Sequence, residues 1–383
     1  MTGDTQATWA RPDVASPEDS EERIFVASQW LLMWWRFRRH RLALASMIVI
    51  IGIYTVAIFA DFFAPFDPNA HNADYVLAPP QPIRFIDRTE GGLQFRPYIY
   101  ALTAEQDPET YALHFVPDTE HKIPVGFFAQ GTPYRLLGLF PASRHLVTPL
   151  EPKAPMFLLG ADRLGRDMLS RIIFGSRISL SIGLVGVFLS LFLGVTIGGF
   201  SGYVGGTLDN AVQRLIEFLR SIPNIPLWMG LSAALPPTWS PLTVYFGITV
   251  ILSLMGWTGM ARVVRGRFLS LREEDFVLAA RLDCAREWRI ITRYMVPSFL
   301  SHIIASVTMA VPGMILSETS LSFLGLGLRP PMISWGVLLK EAQSVRVLVT
   351  APWLLLPGIA VVISVLAMNF MGDGIRDAAD PYA

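Results

Sequence analysis

The sequence predicts an all-α integral membrane protein with six transmembrane helices and an extracytoplasmic insert after the first helix. Three observations carry this prediction. Hydrophobic residues make up 52% of the 383 residues and charged residues only 16%, whereas soluble domains carry about a quarter charged residues. Six segments supply the roughly 20 mostly apolar residues that a helix needs to cross a bilayer core. A long polar stretch separates the first of these segments from the other five.

The N-terminal segment, 1–41, is predicted to be cytoplasmic and to end in an interfacial helix. Its first residues are acidic and polar, unlike the basic start of a cleaved signal peptide, so the first apolar span is expected to stay in the protein as an anchor. Trp30, Trp34 and Trp35 favour a helix at the level of the lipid headgroups. A simple extension of the first span is the alternative.

The six predicted spans are apolar segments of membrane-spanning length. The third differs from the others, because charged residues occupy its first half and prolines its middle. We expect Arg214, Glu217 and Arg220 to lie near the cytoplasmic surface. Pro223 and Pro226 are expected to break the helix, as in the discontinuous helices of transporters. The predicted spans are 42–63, 178–200, 210–235, 241–260, 298–323 and 352–371.

Arginine placement predicts the orientation, because the cytoplasmic flanks of membrane helices collect Lys and Arg. Arg36, Arg38, Arg39 and Arg41 immediately precede the first span and place the N-terminus inside. Six crossings then return the C-terminus to the same side. Eight further arginines lie in 261–297, between the fourth and fifth spans, and place that loop inside as well. The two indicators agree.

The insert, 64–156, is polar and proline-rich and lies outside in this topology. It contains too many aromatic residues for a disordered linker. A small ordered domain is expected, with short strands such as 112–116 and 122–128.

Four glycines recur at every fourth position at the end of the second span and beyond it: Gly194, Gly198, Gly202 and Gly206. Small residues on one helix face let a neighbouring backbone approach closely in lipid. We expect tight helix packing at Gly194 and Gly198, and we assign Gly202 and Gly206 to the following turn.

Several kinds of chemistry are missing from the sequence. A phosphate-binding loop requires Gly-Lys-Ser/Thr, but the three lysines are followed by Ile, Ala and Glu. The six histidines show no metal-binding spacing, and the single cysteine excludes an intrachain disulfide. The basic residues lie at the ends of apolar spans and form no nucleic-acid-binding patch. We therefore expect no catalytic site, no metal and no cofactor in this chain, and no nucleic-acid partner.

Residues 275–297 form an arginine-rich segment of helical composition between two apolar spans. The segment resembles the coupling motif of bacterial ABC-importer permeases, in which Glu-Ala-Ala is followed by Gly and then by Ile-x-Leu-Pro. Ala279, Ala280 and Pro297 match this motif, and Val296 conservatively replaces Leu. Leu278, Cys284 and Tyr294 stand where Glu, Gly and Ile are usual. Because glycine alone enters left-handed backbone conformations freely, Cys284 is expected to use ordinary angles and to alter the turn.

Three further segments resemble signatures of the oligopeptide/dipeptide/nickel permeases, and of the second permease subunit in particular. Residues 159–171 (LGADRLGRDMLSR) and 175–177 (GSR) look like that family's approach to the second span. Residues 321–331 (LSFLGLGLRPP) and 334–336 (SWG) look like its segment after the fifth span. Residues 372–381 (GDGIRDAADP) look like its tail. The resemblance says little about the insert.

The resemblance implies an ABC importer type I permease fold and a position in the bacterial cytoplasmic (inner) membrane. Its partners would be membrane lipid, a sister permease in a heterodimer, two ATP-binding subunits or domains, and an extracytoplasmic solute-binding protein. ATP would be used by the partner subunits, whose closure would push the helix around Ala279 and Ala280. The motif residues that would carry this coupling are Ala279, Ala280, Arg281, Cys284, Arg286 and Pro297.

Glu318 lies well along the otherwise apolar fifth span. In one hypothesis, Glu318 faces the translocation path or helps to seal the outer end of that path. In the other, it makes a hydrogen bond with Ser317, Ser320 or the partner subunit.

The predicted function is import of peptides or similar small solutes. The same machine could carry oligosaccharides, opines or nickel, although the scattered histidines disfavour the metal. Two other classes stay open: a membrane-anchored receptor or enzyme that uses the 64–156 insert, and a secondary transporter.

Overall fold

The protein consists of a helical membrane body and a β-sheet insert. The structure is a computed structural model, and it describes residues 29–89, 92–106, 113–151 and 154–379. Residues 1–28 of the predicted cytoplasmic segment and the last residues of the predicted tail lie outside the described residues. Among the described residues, five helices are long and apolar enough to cross a membrane. The predicted domain boundaries stay predictions.

The described residues form fourteen α-helices, numbered in chain order, together with one π-helical turn at Ile291–Met295 and three 3-10 turns. The 3-10 turns are Ala73–Tyr75, Glu341–Gln343 and Pro352–Leu355. The helices are α1 Gln29–Arg39, α2 Arg41–Ile58, α3 Ala60–Phe63, α4 Met168–Val204, α5 Gly206–Ser221, α6 Asn224–Ala233, α7 Pro241–Leu271, α8 Asp275–Leu282, α9 Glu287–Ile290, α10 Val296–Ser298, α11 Leu300–Phe323, α12 Trp335–Lys340, α13 Val345–Thr350 and α14 Leu356–Ala379.

The five long apolar helices are α2, α4, α7, α11 and α14, the last together with the 3-10 turn before it. They correspond to the first, second, fourth, fifth and sixth predicted spans. α7 continues to Leu271, well beyond residue 260 at which its apolar pattern ends. The coupling segment therefore begins at the far end of a long helix rather than directly at the predicted end of the span.

The predicted span 210–235 is interrupted, and the chain here forms two helices. α5 ends at Ser221, the backbone of Ile222 is extended with ψ 128°, and α6 begins at Asn224. Pro223 has no N–H to continue the helix, and it disfavours helical angles at the residue before it. The predicted break is confirmed at this proline. Pro226 is tolerated because it lies in the first turn of α6.

Close packing of α4 against α7 depends on glycines. A Cβ atom on Gly198 would collide with the backbone of Ala261, and one on Gly194 would lie 2.6 Å from Cβ of Met260. The predicted role of these two glycines is confirmed. Gly202 also packs on α7, because a Cβ atom on Gly202 would lie 2.9 Å from the carbonyl oxygen of Arg265. Its assignment to a turn is wrong, because α4 runs to Val204.

The insert contains β-structure, so the all-α description holds only for the membrane body. The strands are β1 Arg84–Thr89, β2 Gly92–Gln106, β3 Leu113–Phe127, β4 Gln130–Leu136, β5 Phe140–Arg144 and β6 Val147–Pro149. An antiparallel sheet has the order β1-β2-β3-β6, and β4 pairs with β5. The two short strands expected at 112–116 and 122–128 belong largely to one strand, β3; residue 112 lies outside the described part.

A buried ionic cluster joins the loop before α4 to the segment after α12. Asp162 is fully buried and accepts hydrogen bonds from Nε of Arg166, at 2.7 Å, and from the guanidinium of Arg171. Glu341 lies 3.3 Å from Arg166 and 3.7 Å from Arg171. Asp167 caps α4 by accepting from the backbone N–H of Ser170, and burial raises the pKa of this carboxyl to about 6. These contacts fix the signature segment 159–171 to the body.

Replacing Arg171 with Met should destabilise the protein, because the buried Asp162 would lose one of its two cationic partners. The expected cost is about 3–5 kcal/mol, measured as a lower melting temperature of the purified protein in detergent. Glu217→Gln provides the control, since it breaks an ion pair with Arg214 whose side chains are 83% and 50% exposed. Equal melting temperatures for both variants would show that the cluster does not hold the loop.

Candidate functional site

The resemblance to a coupling motif directs attention to α8, a short helix on the side predicted to be cytoplasmic. Asp275 lies in its first turn and Arg281 in its last, so both charges complement the helix dipole. α8 follows the end of α7 after three residues and precedes the segment that leads into α11. It is therefore the connection between two long helices of the membrane body.

The two alanines of the motif differ in burial. Ala280 is 4% exposed and, with the fully buried Val277, joins an apolar cluster that includes Phe268 of α7 and Met295. The small side chain of Ala280 permits α8 to pack closely against α7 and the segment around Met295. Ala279 is exposed. Of the two motif alanines only Ala279 faces outward, and the coupling role of both stays a prediction.

The outward side of the coupling segment is apolar with a basic rim. We define the outer face as Leu278, Ala279, Leu282, Arg286, Trp288 and Arg289, all of which are exposed. Leu282 is 84% exposed and Trp288 60% exposed, which is unusual for large apolar side chains outside the lipid. Arg286 and Arg289 form the basic rim. Nothing in the described part of the chain covers Leu282.

Arg281 is exposed and also attaches α8 to the end of α4. Its Nε lies 3.2 Å from the hydroxyl oxygen of Tyr203, and its guanidinium carbon lies 4.8 Å from the centre of that ring. Nearby, Asp209 at the start of α5 accepts hydrogen bonds from Arg265 of α7 and from the hydroxyl of Ser201. The Arg265 guanidinium is the main cause that holds the pKa of Asp209 below its ordinary value. The ends of α4, α5 and α7 are thus tied together beside α8.

Cys284 adopts the left-handed conformation that the motif's glycine would adopt, with φ +53°. The N–H of Ala285 donates to the carbonyl of Ala280, at 3.1 Å, and the N–H of Cys284 donates to the carbonyl of Arg281, at 3.0 Å. These two bonds form a Schellman motif, the usual end of a helix at a left-handed residue. The expectation of ordinary angles at Cys284 is wrong, because the turn's hydrogen bonds hold the residue despite its Cβ.

Pro297 lies in the segment that joins the coupling region to α11. The π-helical turn Ile291–Met295 and the short α10 precede Phe299, whose backbone has φ −127° and interrupts the helix before α11 begins. Pro297 is exposed and stands in the first turn of α10. It can do so because the first turn of a helix does not require its N–H.

Glu318 is fully buried and joins three elements of the body. Its carboxylate accepts hydrogen bonds from Ser179 of α4 at 3.1 Å, from Ser322 of α11 at 2.8 Å and from Ser334 before α12 at 2.7 Å. Ser317, one of the partners suggested by the sequence, instead donates to the carbonyl of Gly313. This geometry supports the hydrogen-bonding hypothesis and supplies different partners from those expected.

The residues that sequence reasoning missed are Ser179, Ser334, Tyr203 and Asp209. Ser334 stands in a segment quoted for the family resemblance, but no local pattern connects it with Glu318. Within the described residues, no group of three His, Cys, Asp or Glu side chains could hold a metal ion.

Comparison with known proteins gives the family. A family model described as the binding-protein-dependent transport system inner membrane component matches residues 194–382, and one described as the N-terminal TM domain of oligopeptide transport permease C matches residues 28–80. The dipeptide transport system permease protein DppC of Haemophilus influenzae is 30% identical over 349 residues, with 91% of this chain and 93% of that protein covered.

Two further relatives carry the same name. DppC of Lactococcus lactis subsp. cremoris is 31% identical over 376 residues, with 95% of this chain and 94% of that protein covered. DppC of Bacillus subtilis is 36% identical over 234 residues, with 61% of this chain and 70% of that protein covered. The resemblance inferred from the motifs is confirmed. The chain therefore belongs to the family of binding-protein-dependent transport system inner membrane components, the permeases of ABC importers, and within it to the oligopeptide/dipeptide type.

Proposed function

We propose that this permease moves short peptides into the cytoplasm, in a heterodimer with a related sister permease. An extracytoplasmic solute-binding protein delivers the peptide, and two ATP-binding subunits or domains supply the energy. The names of the full-length relatives support peptides over oligosaccharides, opines or nickel. ATP is bound by those partners, so the chain itself needs no cofactor.

One observation supports the coupling role: α8 carries the exposed outer face on one side and is packed against the membrane body on the other. Leu278, Ala279 and Leu282 are available to an ATPase subunit, while Val277 and Ala280 hold the helix to the membrane body. A short helix that was loosely attached would move alone when pushed. α8 instead transmits the displacement, because its inner side chains are buried in an apolar cluster with α7.

The displacement reaches the membrane body by three connections. α7 leads directly into α8, Arg281 contacts Tyr203 at the end of α4, and the 291–299 segment leads into α11. Closure of the ATPases would therefore tilt the ends of three long helices together. Both termini are cytoplasmic in this arrangement, and the insert lies outside, where it contacts the binding protein or the sister permease.

Uptake of a radiolabelled dipeptide by proteoliposomes tests the function. The vesicles contain the permease heterodimer with its ATPases, and the binding protein is added outside. ATP-dependent uptake is the expected result. Uptake of nickel or an oligosaccharide without uptake of peptide would change the substrate class, and failure of any ATPase to copurify would contradict the importer assignment.

Leu282→Asp should weaken the docking of the ATPase. Its side chain is 84% exposed in this chain, so the fold does not depend on it, whereas a central apolar contact in an interface typically contributes about 2 kcal/mol or more. We expect at least about a tenfold loss of copurified ATPase, with uptake reduced in parallel. Leu139→Asp is the control, because Leu139 is a 74% exposed leucine of the insert. Full ATPase recovery with Leu282→Asp would refute docking at the outer face.

Cys284→Gly should preserve the turn after α8 and stabilise it. A left-handed residue with a Cβ costs about 1–2 kcal/mol, and glycine removes most of that cost. Cys284→Val should have the opposite effect, since β-branched residues tolerate this conformation poorly. Hydrogen exchange of the 276–286 amides is the measurement, with slower exchange expected for the Gly variant and faster exchange for the Val variant. The reverse order would contradict the left-handed assignment.

A further inference from the structure

The β-sheet of the insert carries a group of exposed apolar side chains. Phe85 of β1 stacks on Phe95 of β2, with ring centres 6.1 Å apart, and on Phe127 of β3, with ring centres 6.5 Å apart. Ile86 pairs with Phe95 across the two strands. All four are exposed, Phe95 by 75% and Ile86 by 61%. We define them as the insert patch. Single apolar side chains are common on protein surfaces, but a contiguous exposed group favours an interaction site.

The insert patch begins where the sheet meets the membrane body. Phe128 follows Phe127 in the chain, and its ring centre lies 5.9 Å from that of Phe62 in α3. α3 lies at the end of the first predicted span. In the same helix, Asp61 pairs with Arg177 of α4, with a nitrogen–oxygen distance of 2.5 Å. Because charged side chains avoid the bilayer centre, this pair marks the level at which lipid tails give way to headgroups. The patch therefore starts beside the membrane surface.

The hairpin of β1 and β2 extends the patch beyond the end of β3. The register of β2 on β3 has Tyr98 opposite Pro124 and so brings Phe95 level with Phe127, the last residue of β3. β2 continues past Phe95 to Gly92, three residues farther in the direction in which β3 runs toward α3. At about 3.4 Å per residue the hairpin projects roughly 10 Å. Interfacial elements enter the boundary of headgroups and tails by a similar depth, about 5–10 Å.

Two arginines lie beside the rings of the insert patch. Arg84 and Arg96 are exposed, and the Arg84 guanidinium carbon lies 4.8 Å from the centre of the Tyr100 ring. Asp87, on the same strand as Arg84, is occupied by Lys122 at 2.7 Å. Apolar rings flanked by guanidinium groups suit a phospholipid surface, because the rings enter the acyl boundary while the guanidiniums bond the phosphates.

We propose that the insert patch docks on the outer leaflet of the membrane that the protein spans, with its rings at the acyl boundary and Arg84 and Arg96 at the lipid phosphates. The contact between Phe62 and Phe128 makes this surface continuous with the first span. The lipid then holds the insert at a fixed height, and the opposite end of β3, which begins at Leu113, stands clear of the membrane. The proposal concerns the insert and does not depend on the transported solute.

Fluorescence quenching tests the docking in the complete importer. Cys284→Gly removes the chain's only cysteine, and Ile86→Cys then supplies a site for a nitrobenzoxadiazole label while all three rings stay in place. Leu113→Cys is the matched position, because Leu113 is an exposed apolar residue at the far end of the sheet. The importer with Cys284→Gly alone gives the background from cysteines of the partner subunits.

The vesicles consist of phosphatidylethanolamine and phosphatidylglycerol, with and without a phospholipid that carries a nitroxide on its headgroup. We expect the nitroxide to remove most of the emission from the label at position 86 and to leave the emission at position 113 unchanged. Equal quenching at the two positions, or no quenching at position 86, would overturn the proposal.

Phe95→Asp, made together with Ile86→Cys, tests whether the rings hold the hairpin to the lipid. Because Phe95 is 75% exposed, the chain's own packing depends little on it, and quenching at position 86 should fall to the level seen at position 113. Leu139→Asp is the control, since it changes a 74% exposed leucine elsewhere in the insert and should leave the quenching unaltered. Undiminished quenching with Phe95→Asp would refute docking through the rings.

A photoactivated crosslinker at position 86 separates the lipid from other occupants. Adducts with phospholipid are expected. An adduct with the sister permease or the binding protein in place of lipid would show that the insert patch is a protein interface and would overturn the proposal.

Discussion

Lipid offers no hydrogen bonds, and this constraint organises the polar part of the structure. A polar group at membrane depth is stabilised by a partner within the protein. Glu318 is therefore surrounded by the hydroxyls of Ser179, Ser322 and Ser334, which connect α4, α11 and the start of α12. The charged groups of Asp162, Arg166, Arg171 and Glu341 pair with one another beside the start of α4. Glu318, for which the sequence left a path-facing and a hydrogen-bonded position open, thus cross-links three elements.

The packed helices of the membrane body differ from the exposed outer face of α8. Close glycine contacts and buried polar bonds hold α4, α7 and α11 together, and α8 is attached to them by Val277, Ala280 and Arg281. What is left unattached is the outer face of α8, including Leu282. A rigid body with one protruding apolar helix is mechanically suited to receive a push.

Sequence reasoning located the elements that depend on long-range apolar patterns. Five spans follow from length and hydropathy, and the break at Pro223 follows from the chemistry of proline. The position of the coupling segment was also predicted. The inward direction of Ala280 was not, because a motif does not specify which face a helix buries. Ser179 is 139 residues from Glu318, so no local pattern could pair them. The left-handed Cys284 shows that a turn's hydrogen bonds can override a residue's intrinsic preference.

The central claim is that the outer face of α8 contacts the ATPase. Cys284 is the only cysteine of the chain, and it is exposed two residues beyond Leu282. A maleimide-benzophenone attached there and activated by light should form an adduct with the ATPase subunit in the assembled importer. Absence of that adduct, or labelling of Cys284 from outside intact cells by a membrane-impermeant maleimide, would contradict the claim.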